Sequence, residues 1–173
     1  MTGAQSAVIV RAPDPDGLVQ RWRLLHTADG PRGMPAHITV LFPFVDSELL
    51  VPAVDAELSA AVRGLPRFEF ELRSIARFDG PPYVLYAALA PAGPFSALTG
   101  AVAGRFGLRP YGGAHDDVVA HCTIGVANDP AVLEPIEAAI APSLPIRGVA
   151  DRVEVWRDTP RGWQFDRAVA LGG

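Results

Sequence analysis

The chain contains no lysine, so each of its 15 basic residues is an arginine. This absence excludes a Walker-type phosphate-binding lysine, a lysine Schiff base and the adenylated lysine of an ATP-dependent ligase. Cysteine is nearly absent too, and the single Cys122 cannot form a disulfide within the chain, which favours a reducing compartment. The Arg-only composition, rich in alanine, glycine and proline, is typical of a GC-rich genome and favours a bacterial source.

Long apolar segments are also missing. No apolar run reaches the roughly 18 residues that a membrane-spanning helix needs. Residues 1–11 have neither the basic patch nor the apolar stretch of a signal peptide. A length of 173 residues fits one large domain or two small lobes. We therefore expect a cytoplasmic protein that is a monomer and does not bind membranes.

The charge balance limits the possible partners. The net charge is −4, and no basic track is evident, which disfavours contact with an extended nucleic acid. A small basic pocket for one or two phosphates remains compatible with this balance.

Hydrophobic periodicity predicts alternating strands and helices along the chain. The predicted strands cover residues 4–11, 36–42, 68–76, 83–90, 118–126, 149–156 and 163–171. The predicted helices cover residues 18–26, 47–63, 94–106 and about 129–140. In the first helix we expect Asp16 to be the N-cap and Leu18, Trp22 and Leu25 to lie on one face.

The order of elements repeats within the chain. A strand, a helix, a strand, a turn and a strand follow residue 37, and the same order follows residue 121. This order predicts an internal repeat, approximately 37–90 and 121–171, within a single bilobed domain over residues 1–173. The expected fold is α+β, with two pseudo-symmetric lobes whose antiparallel-rich sheets flank a central cleft and whose helices lie outside.

Each repeat opens with the same short motif, His37-Ile38-Thr39-Val40 in one and His121-Cys122-Thr123-Ile124 in the other. In a strand, the His and the Thr of each motif point to the same face. If the two strands converge, two imidazoles supply a base and an acid near neutral pH, and two hydroxyls donate hydrogen bonds to a phosphate. The motifs therefore predict proton transfer around a phosphate, such as attack on a ribose 2′,3′-cyclic phosphate, with no metal or other cofactor required.

Other interpretations of these residues remain open. His37, His115 and His121, together with the carboxylates of Asp116–Asp117, are an alternative set of metal ligands. A Cys122 nucleophile is disfavoured, because strand alternation turns its side chain away from His121.

Several further residues are candidates for substrate contacts, although solvated charge or core packing is the simpler role for each. The candidates for phosphate contacts are Arg77, Arg157 and Arg161. The candidates for stacking on a base are Phe42, Tyr111, Trp156 and Trp163.

With its two motifs, the chain resembles the 2H phosphoesterase superfamily, which includes the 2′-5′ RNA ligases and cyclic nucleotide phosphodiesterases. The motif of that family is H-x-[ST]-h, with h apolar, and it occurs twice, as it does here. The resemblance implies two α+β lobes with a cleft between them. It also implies that His37 and His121 are the general acid and base, that Thr39 and Thr123 hold the phosphate, and that neither metal nor ATP takes part.

Members of that family hydrolyse 2′,3′-cyclic phosphates, cleave 2′-5′ linkages or reversibly join RNA ends. The leading hypothesis is a metal-independent phosphoesterase acting on such bonds, and the acidic balance favours a small nucleotide or a short RNA terminus as its substrate. The alternative is a non-catalytic module that binds a phosphorylated ligand as a sensor or regulator, since binding and catalysis would use the same residues. A protein-interaction domain with incidental His and Thr residues is a third possibility.

Overall fold

The computed structural model describes residues 4–115 and 117–172. Within these residues it contains eight strands and four α-helices, with short 3₁₀ turns between some of them. The strands are β1 (Ser6–Arg11), β2 (His37–Leu41), β3 (Phe68–Phe78), β4 (Tyr83–Ala90), β5 (His121–Ala127), β6 (Ile146–Ala150), β7 (Arg152–Thr159) and β8 (Gly162–Ala170). The helices are α1 (Gln20–His26), α2 (Pro52–Val62), α3 (Gly93–Phe106) and α4 (Glu134–Ile140).

The strands form two antiparallel sheets of four strands each. The strand order is β2-β1-β7-β8 in the first sheet and β5-β4-β3-β6 in the second. Each motif strand lies at the edge of its sheet and pairs with the strand that precedes it in sequence. One α-helix connects the two strands of each pair: β1–α1–β2 in the first sheet and β4–α3–β5 in the second. The predicted α+β fold with two antiparallel sheets is confirmed.

The sheets do not follow the expected repeat boundaries. The first sheet combines the two N-terminal strands with the two C-terminal ones, and its last strand, β8, lies beyond β7. In the second sheet, β4 lies between β3 and β5. β8 lies at the outer edge of β7 because the other edge of β7 already pairs with β1. The single domain over 1–173 stays a prediction.

Alternation along the motif strands fixes which side chains reach the core. Ile38, Val40, Cys122 and Ile124 are buried in the main hydrophobic cluster, which also packs the inner faces of the helices. The His and Thr residues of both motifs therefore lie on the opposite face of their strands. The expected inward orientation of Cys122 is confirmed, and burial raises the pKa of its thiol to about 11.

The start of α1 differs from the sequence prediction. The backbone N–H groups of Val19 and Gln20 donate to the two carboxylate oxygens of Asp14, at 2.6 and 3.0 Å, whereas Asp16 makes no cap and has a left-handed φ of 55°. The predicted cap was therefore wrong by two residues, because the chain turns at Asp16 before the helix begins.

The residues predicted to share a face of this helix differ in burial, since Leu18 and Trp22 pack against the core. Leu25 is 74% exposed, and the buried side chain of this helix is Arg23. The reason is that α1 packs against β5, where a backbone carbonyl is available to the guanidinium.

Two other elements have different bounds. The predicted helix over 47–63 is a 3₁₀ turn over 47–49 followed by α2, which starts at Pro52, where the fixed φ of proline suits a first helical position. The predicted strand over 149–156 is divided at Asp151 into β6 and β7, which belong to different sheets.

We expect Asp14→Ala to lower the free energy of unfolding by about 1 kcal/mol, because two helix N–H groups lose their acceptor. Asp16→Gly is the matched control and should change it by less than about 0.5 kcal/mol, because glycine readily adopts the left-handed conformation found there. Urea unfolding of both variants measures the difference. An equal loss in the two variants would contradict the observed cap.

Candidate active site

A cavity of about 900 Å³ lies between the two sheets and is lined by the four polar motif side chains, His37, Thr39, His121 and Thr123. Two of these residues come from the edge strand of each sheet. The structure thus brings together the residues that the sequence singled out. They meet across the space between two separate sheets, rather than on neighbouring strands of one sheet.

The two histidines make the same hydrogen bond. Nδ1 of His37 lies 2.8 Å from the carbonyl oxygen of Pro35, and Nδ1 of His121 lies 2.7 Å from that of Val119, two residues earlier in each case. A carbonyl oxygen only accepts, so Nδ1 carries the hydrogen in both rings. Each neutral imidazole therefore keeps Nε2 as a proton acceptor.

Burial favours the neutral form of both rings. Burial, reinforced by the nearby positive charge of Arg23, lowers the pKa of His37 to about 4, although the Asp29 carboxylate acts in the opposite direction. Burial also lowers the pKa of His121, against the opposing effect of its hydrogen bond to Val119. At neutral pH the site therefore holds two uncharged imidazoles.

Arg23 is a fully buried cation beneath this site. Its Nη1 donates to the carbonyl oxygen of Thr123 at 2.7 Å, and its Nη2 donates to Oδ2 of Asp29 at the same distance. Burial acts to raise the pKa of Asp29, but the charge of Arg23, the nearby His37 and the hydrogen bonds of Thr27 and Arg23 together outweigh burial, and the pKa is lowered. The ionised carboxylate therefore compensates the guanidinium, and the pair joins α1 and its following loop to the second motif strand.

Aromatic residues form part of the site's surroundings. Phe78 stacks on Tyr86 with ring centres 4.2 Å apart, and both rings meet His121 edge-on at 5.0 and 5.2 Å. Across the cavity, Phe42 packs against Trp163 at 6.0 Å. The ring of His121 therefore packs against a pair of stacked aromatic rings, which is consistent with the lowered pKa.

Tyr111 reaches the first motif from the loop after α3. Burial raises the pKa of its phenol, although a hydrogen bond with the Thr39 hydroxyl acts in the opposite direction. Its backbone has a left-handed φ of 53°, and its N–H donates to the carbonyl of Phe42 at 2.6 Å. The phenol therefore stays neutral, and Tyr111 and Thr39 both line the cavity.

The structure separates the other candidate contacts. Of the four aromatic candidates, Phe42, Tyr111 and Trp163 line the cavity and Trp156 does not. The three arginine candidates lie elsewhere: Arg77 pairs with Glu137, Arg157 pairs with Asp166, and Arg161 is exposed in the turn between β7 and β8.

The alternative metal set does not assemble among the described residues. His115 lines the cavity, with its ring centre 5.7 Å from that of Tyr111. No group of three His, Cys, Asp or Glu side chains in the described ranges is placed to hold a metal ion. Asp116, one of the expected ligands, lies outside these ranges.

Sequence reasoning missed Arg23, Asp29, Phe78 and Tyr86. Arg23 follows Val19 by one helical turn, and the burial of Val19 indicates the inner face of α1. Nothing in the sequence distinguishes this arginine from the fourteen others. Phe78 lies two residues beyond the predicted end of its strand, because β3 continues directly up to the hairpin turn over residues 79–82.

The fold and the site define a class of α+β proteins. Members have two antiparallel sheets, and one His-x-Thr strand from each sheet faces a shared cavity. The 2′-5′ RNA ligase superfamily matches residues 11–161, and the chain belongs to this family. The membership and the phosphoesterase-like fold support a phosphoesterase-type activity. A search of curated proteins gives no match.

Solved structures share the fold. TT0787 of Thermus thermophilus is 20% identical, with a TM-score of 0.64 over 98% of each chain. E. coli LigT complexed with 3′-AMP is 14% identical, with a TM-score of 0.63 over 98% of this chain and 99% of LigT. A structure described as a phosphoesterase is 12% identical, with a TM-score of 0.60 over 99% of each chain. At these identities the similarity shows the fold alone.

No helix in the described ranges is both long enough and apolar enough to pass through a bilayer.

We expect His37 to make stability depend on pH between about 6.5, the usual pKa of histidine, and 4. Because its pKa is lower in the folded protein, the unfolded chain takes up more protons in this window, and the free energy of unfolding falls as the pH falls. Urea unfolding at pH 7 and pH 4.5 measures this loss. The loss should be smaller in His37→Gln, which cannot titrate; the same loss in both proteins would contradict the lowered pKa.

Proposed function

We propose that the protein is a phosphoesterase that acts on 2′,3′-cyclic phosphates or 2′-5′ phosphodiester bonds of RNA ends or small nucleotides. His37 and His121 act as general base and general acid, and no metal or other cofactor takes part. The observation that carries the proposal is that two histidines, each with Nδ1 fixed by a carbonyl two residues earlier, line one cavity.

The proposed reaction needs one neutral and one protonated imidazole. Nε2 of the neutral ring takes a proton from water, and the water oxygen forms a bond to phosphorus. The bond from phosphorus to the ribose 3′ oxygen breaks, and the protonated ring gives its proton to that oxygen, which leaves a 2′-phosphate. The hydroxyls of Thr39 and Thr123 donate hydrogen bonds to the non-bridging oxygens as negative charge develops on them.

The environments of the two rings support one assignment of their roles. His37, whose pKa is lowered to about 4, is the group more easily kept neutral, so it serves as the base in hydrolysis and His121 as the acid. The same step joins a 2′-5′ linkage when a ribose 5′ hydroxyl attacks the cyclic phosphate in place of water. Cleavage of that linkage back to the cyclic phosphate is the reverse reaction, and it exchanges the two roles. The expected monomeric state and cytoplasmic location belong to the same proposal.

We expect His37→Ala and His121→Ala each to lower the turnover of adenosine 2′,3′-cyclic phosphate by about 10²–10⁴-fold, because each removes a proton-transfer group. Chromatography of the nucleotide products measures this loss, and circular dichroism checks the fold. His26→Ala is the matched control, since His26 lies outside the cavity lining, and it should keep full turnover.

Two outcomes would contradict this proposal. Loss of activity on treatment with EDTA, with active histidine variants, would favour a metal site. Tight binding of a nucleoside 2′-phosphate by calorimetry, with no product after long incubation, would favour the binding module.

The pH dependence of kcat/KM offers a separate test. We expect the maximum to lie between about pH 4 and pH 6.5, because His37 must be neutral and His121 protonated, and burial lowers the pKa of both below the usual value of 6.5. The acidic and basic limbs of this pH profile report apparent pKa values of the coupled His37–His121 pair. A maximum above pH 8 would contradict the assignment of both roles to histidines in this environment.

A further inference from the structure

The face of the first sheet that carries His37 continues beyond the cavity. Arg11 of β1 lies directly opposite His37 of β2 in the antiparallel register, so the two side chains share one face of the sheet on adjacent strands. Neighbouring strands lie about 5 Å apart. A group bound at His37 therefore has Arg11 beside it on the neighbouring strand, toward the centre of the first sheet.

Arg11 is held from one side only. Its Nε lies 3.2 and 3.3 Å from the two carboxylate oxygens of Glu154 on β7, and its guanidinium carbon lies 5.6 Å from the ring centre of Trp156. The Trp156 indole N–H donates to the same carboxylate at 2.8 Å, and both Glu154 and Trp156 are buried.

The outer part of the guanidinium is available. The Arg11 side chain is 53% exposed, and in the described part of the chain its hydrogen bonds are made by Nε. Its two terminal nitrogens are therefore positioned in advance to donate to a phosphate, which is the planar, two-donor arrangement that arginine offers to such groups.

An exposed aromatic ring packs against Trp156, the residue on which Arg11 also lies. Phe165 of β8 is 51% exposed, and its ring meets Trp156 edge-on with centres 5.9 Å apart. Phe165 pairs with Trp156 in the register of β7 and β8, so it lies on the same face of the sheet. Exposed aromatic rings beside a cation are the elements with which proteins bind single-stranded nucleic acid.

We propose that the four residues Arg11, Glu154, Trp156 and Phe165, here called the Arg11 face, form a subsite for the nucleotides that precede the reactive phosphate of an RNA 3′ end. Arg11 binds the phosphate of the preceding linkage, and Phe165 stacks on a preceding base. Glu154 and Trp156 position Arg11. This inference rests on the proposed function and makes a short oligoribonucleotide, rather than a mononucleotide, the preferred substrate.

The dimensions and charge of the face agree with a short RNA end. β8 is three strands away from β2, about 14 Å at the usual strand spacing, which is beyond the reach of a mononucleotide whose phosphate lies between the histidines. Glu154 offsets much of the arginine charge, so the face offers few phosphate contacts and does not resemble a track for long nucleic acid.

The test compares two substrates that carry the same terminal group: adenosine 2′,3′-cyclic phosphate and a four-nucleotide RNA ending in that cyclic phosphate. For the RNA, we expect Arg11→Gln and Phe165→Ala each to lower kcat/KM by roughly tenfold, mainly through KM, because each removes binding that is equal in the ground state and the transition state. For the mononucleotide, both variants should stay within about twofold of the unchanged protein, since it lacks the preceding phosphate and base that these residues are proposed to bind.

Matched controls separate specific contacts from general effects. Arg147→Gln removes an exposed arginine from β6 of the other sheet and should not change kcat/KM for either substrate. Phe165→Tyr keeps an aromatic face and should restore activity on the RNA. Arg11→Gln should also reduce the slope of log(kcat/KM) against log salt by about 0.7, the value for one phosphate contact on a single strand, whereas Phe165→Ala should not.

The outcomes distinguish this inference from the proposed function. Equal losses on both substrates, or no loss on the RNA, would overturn the subsite while hydrolysis still stands. If the unchanged protein hydrolyses neither substrate, the proposed function fails. Binding of a four-nucleotide RNA 3′-phosphate, measured by fluorescence anisotropy, then decides the subsite: weakening by Arg11→Gln and Phe165→Ala supports it, and unchanged affinity overturns it.

Discussion

The two-residue period of the motif strands is the constraint on which the site depends. Ile38 and Cys122 belong to the same hydrophobic cluster, and a strand that buries them must turn the neighbouring His and Thr side chains outward. A shift of one residue in either strand would exchange core and cavity side chains, so core packing fixes the register. The burial of small apolar groups thus determines where the polar groups stand, with no dedicated contact needed to orient the strands.

The environment of the site follows from the same packing. The imidazoles stand where the sheets approach each other, and this burial lowers the pKa of both rings. The backbone fixes the tautomer of each ring, because a carbonyl two residues earlier determines which ring nitrogen carries the hydrogen. Arg23 adds a buried positive charge close to the first ring, and Asp29 compensates it. A pair of neutral, similarly oriented bases is the result, which suits a reaction in which one ring gains a proton as the other loses one.

Sequence reasoning predicted the parts of this arrangement that depend on local pattern. Alternation predicted the motif strands and the faces of their residues, and the paired motif predicted a shared cavity. It failed where tertiary contacts decide the outcome. The burial of Arg23 in place of Leu25 depends on a carbonyl of a strand about a hundred residues away. The sheet order depends on the pairing of β1 with β7, which joins opposite ends of the chain. The role of Asp14 in place of Asp16 depends on a single left-handed turn.

The position of the two motif strands at sheet edges has a kinetic consequence. β2 and β5 belong to different sheets, so no ladder of backbone hydrogen bonds sets the separation of the two motif histidines. That separation is set by the volume of the side chains packed between the sheets and the helices. Small errors in the placement of reacting atoms are costly to rate. Conservative exchanges deep in the interior, which leave the molecule folded, can therefore tune catalytic efficiency from a distance and give evolution a way to adapt the enzyme without touching its polar residues.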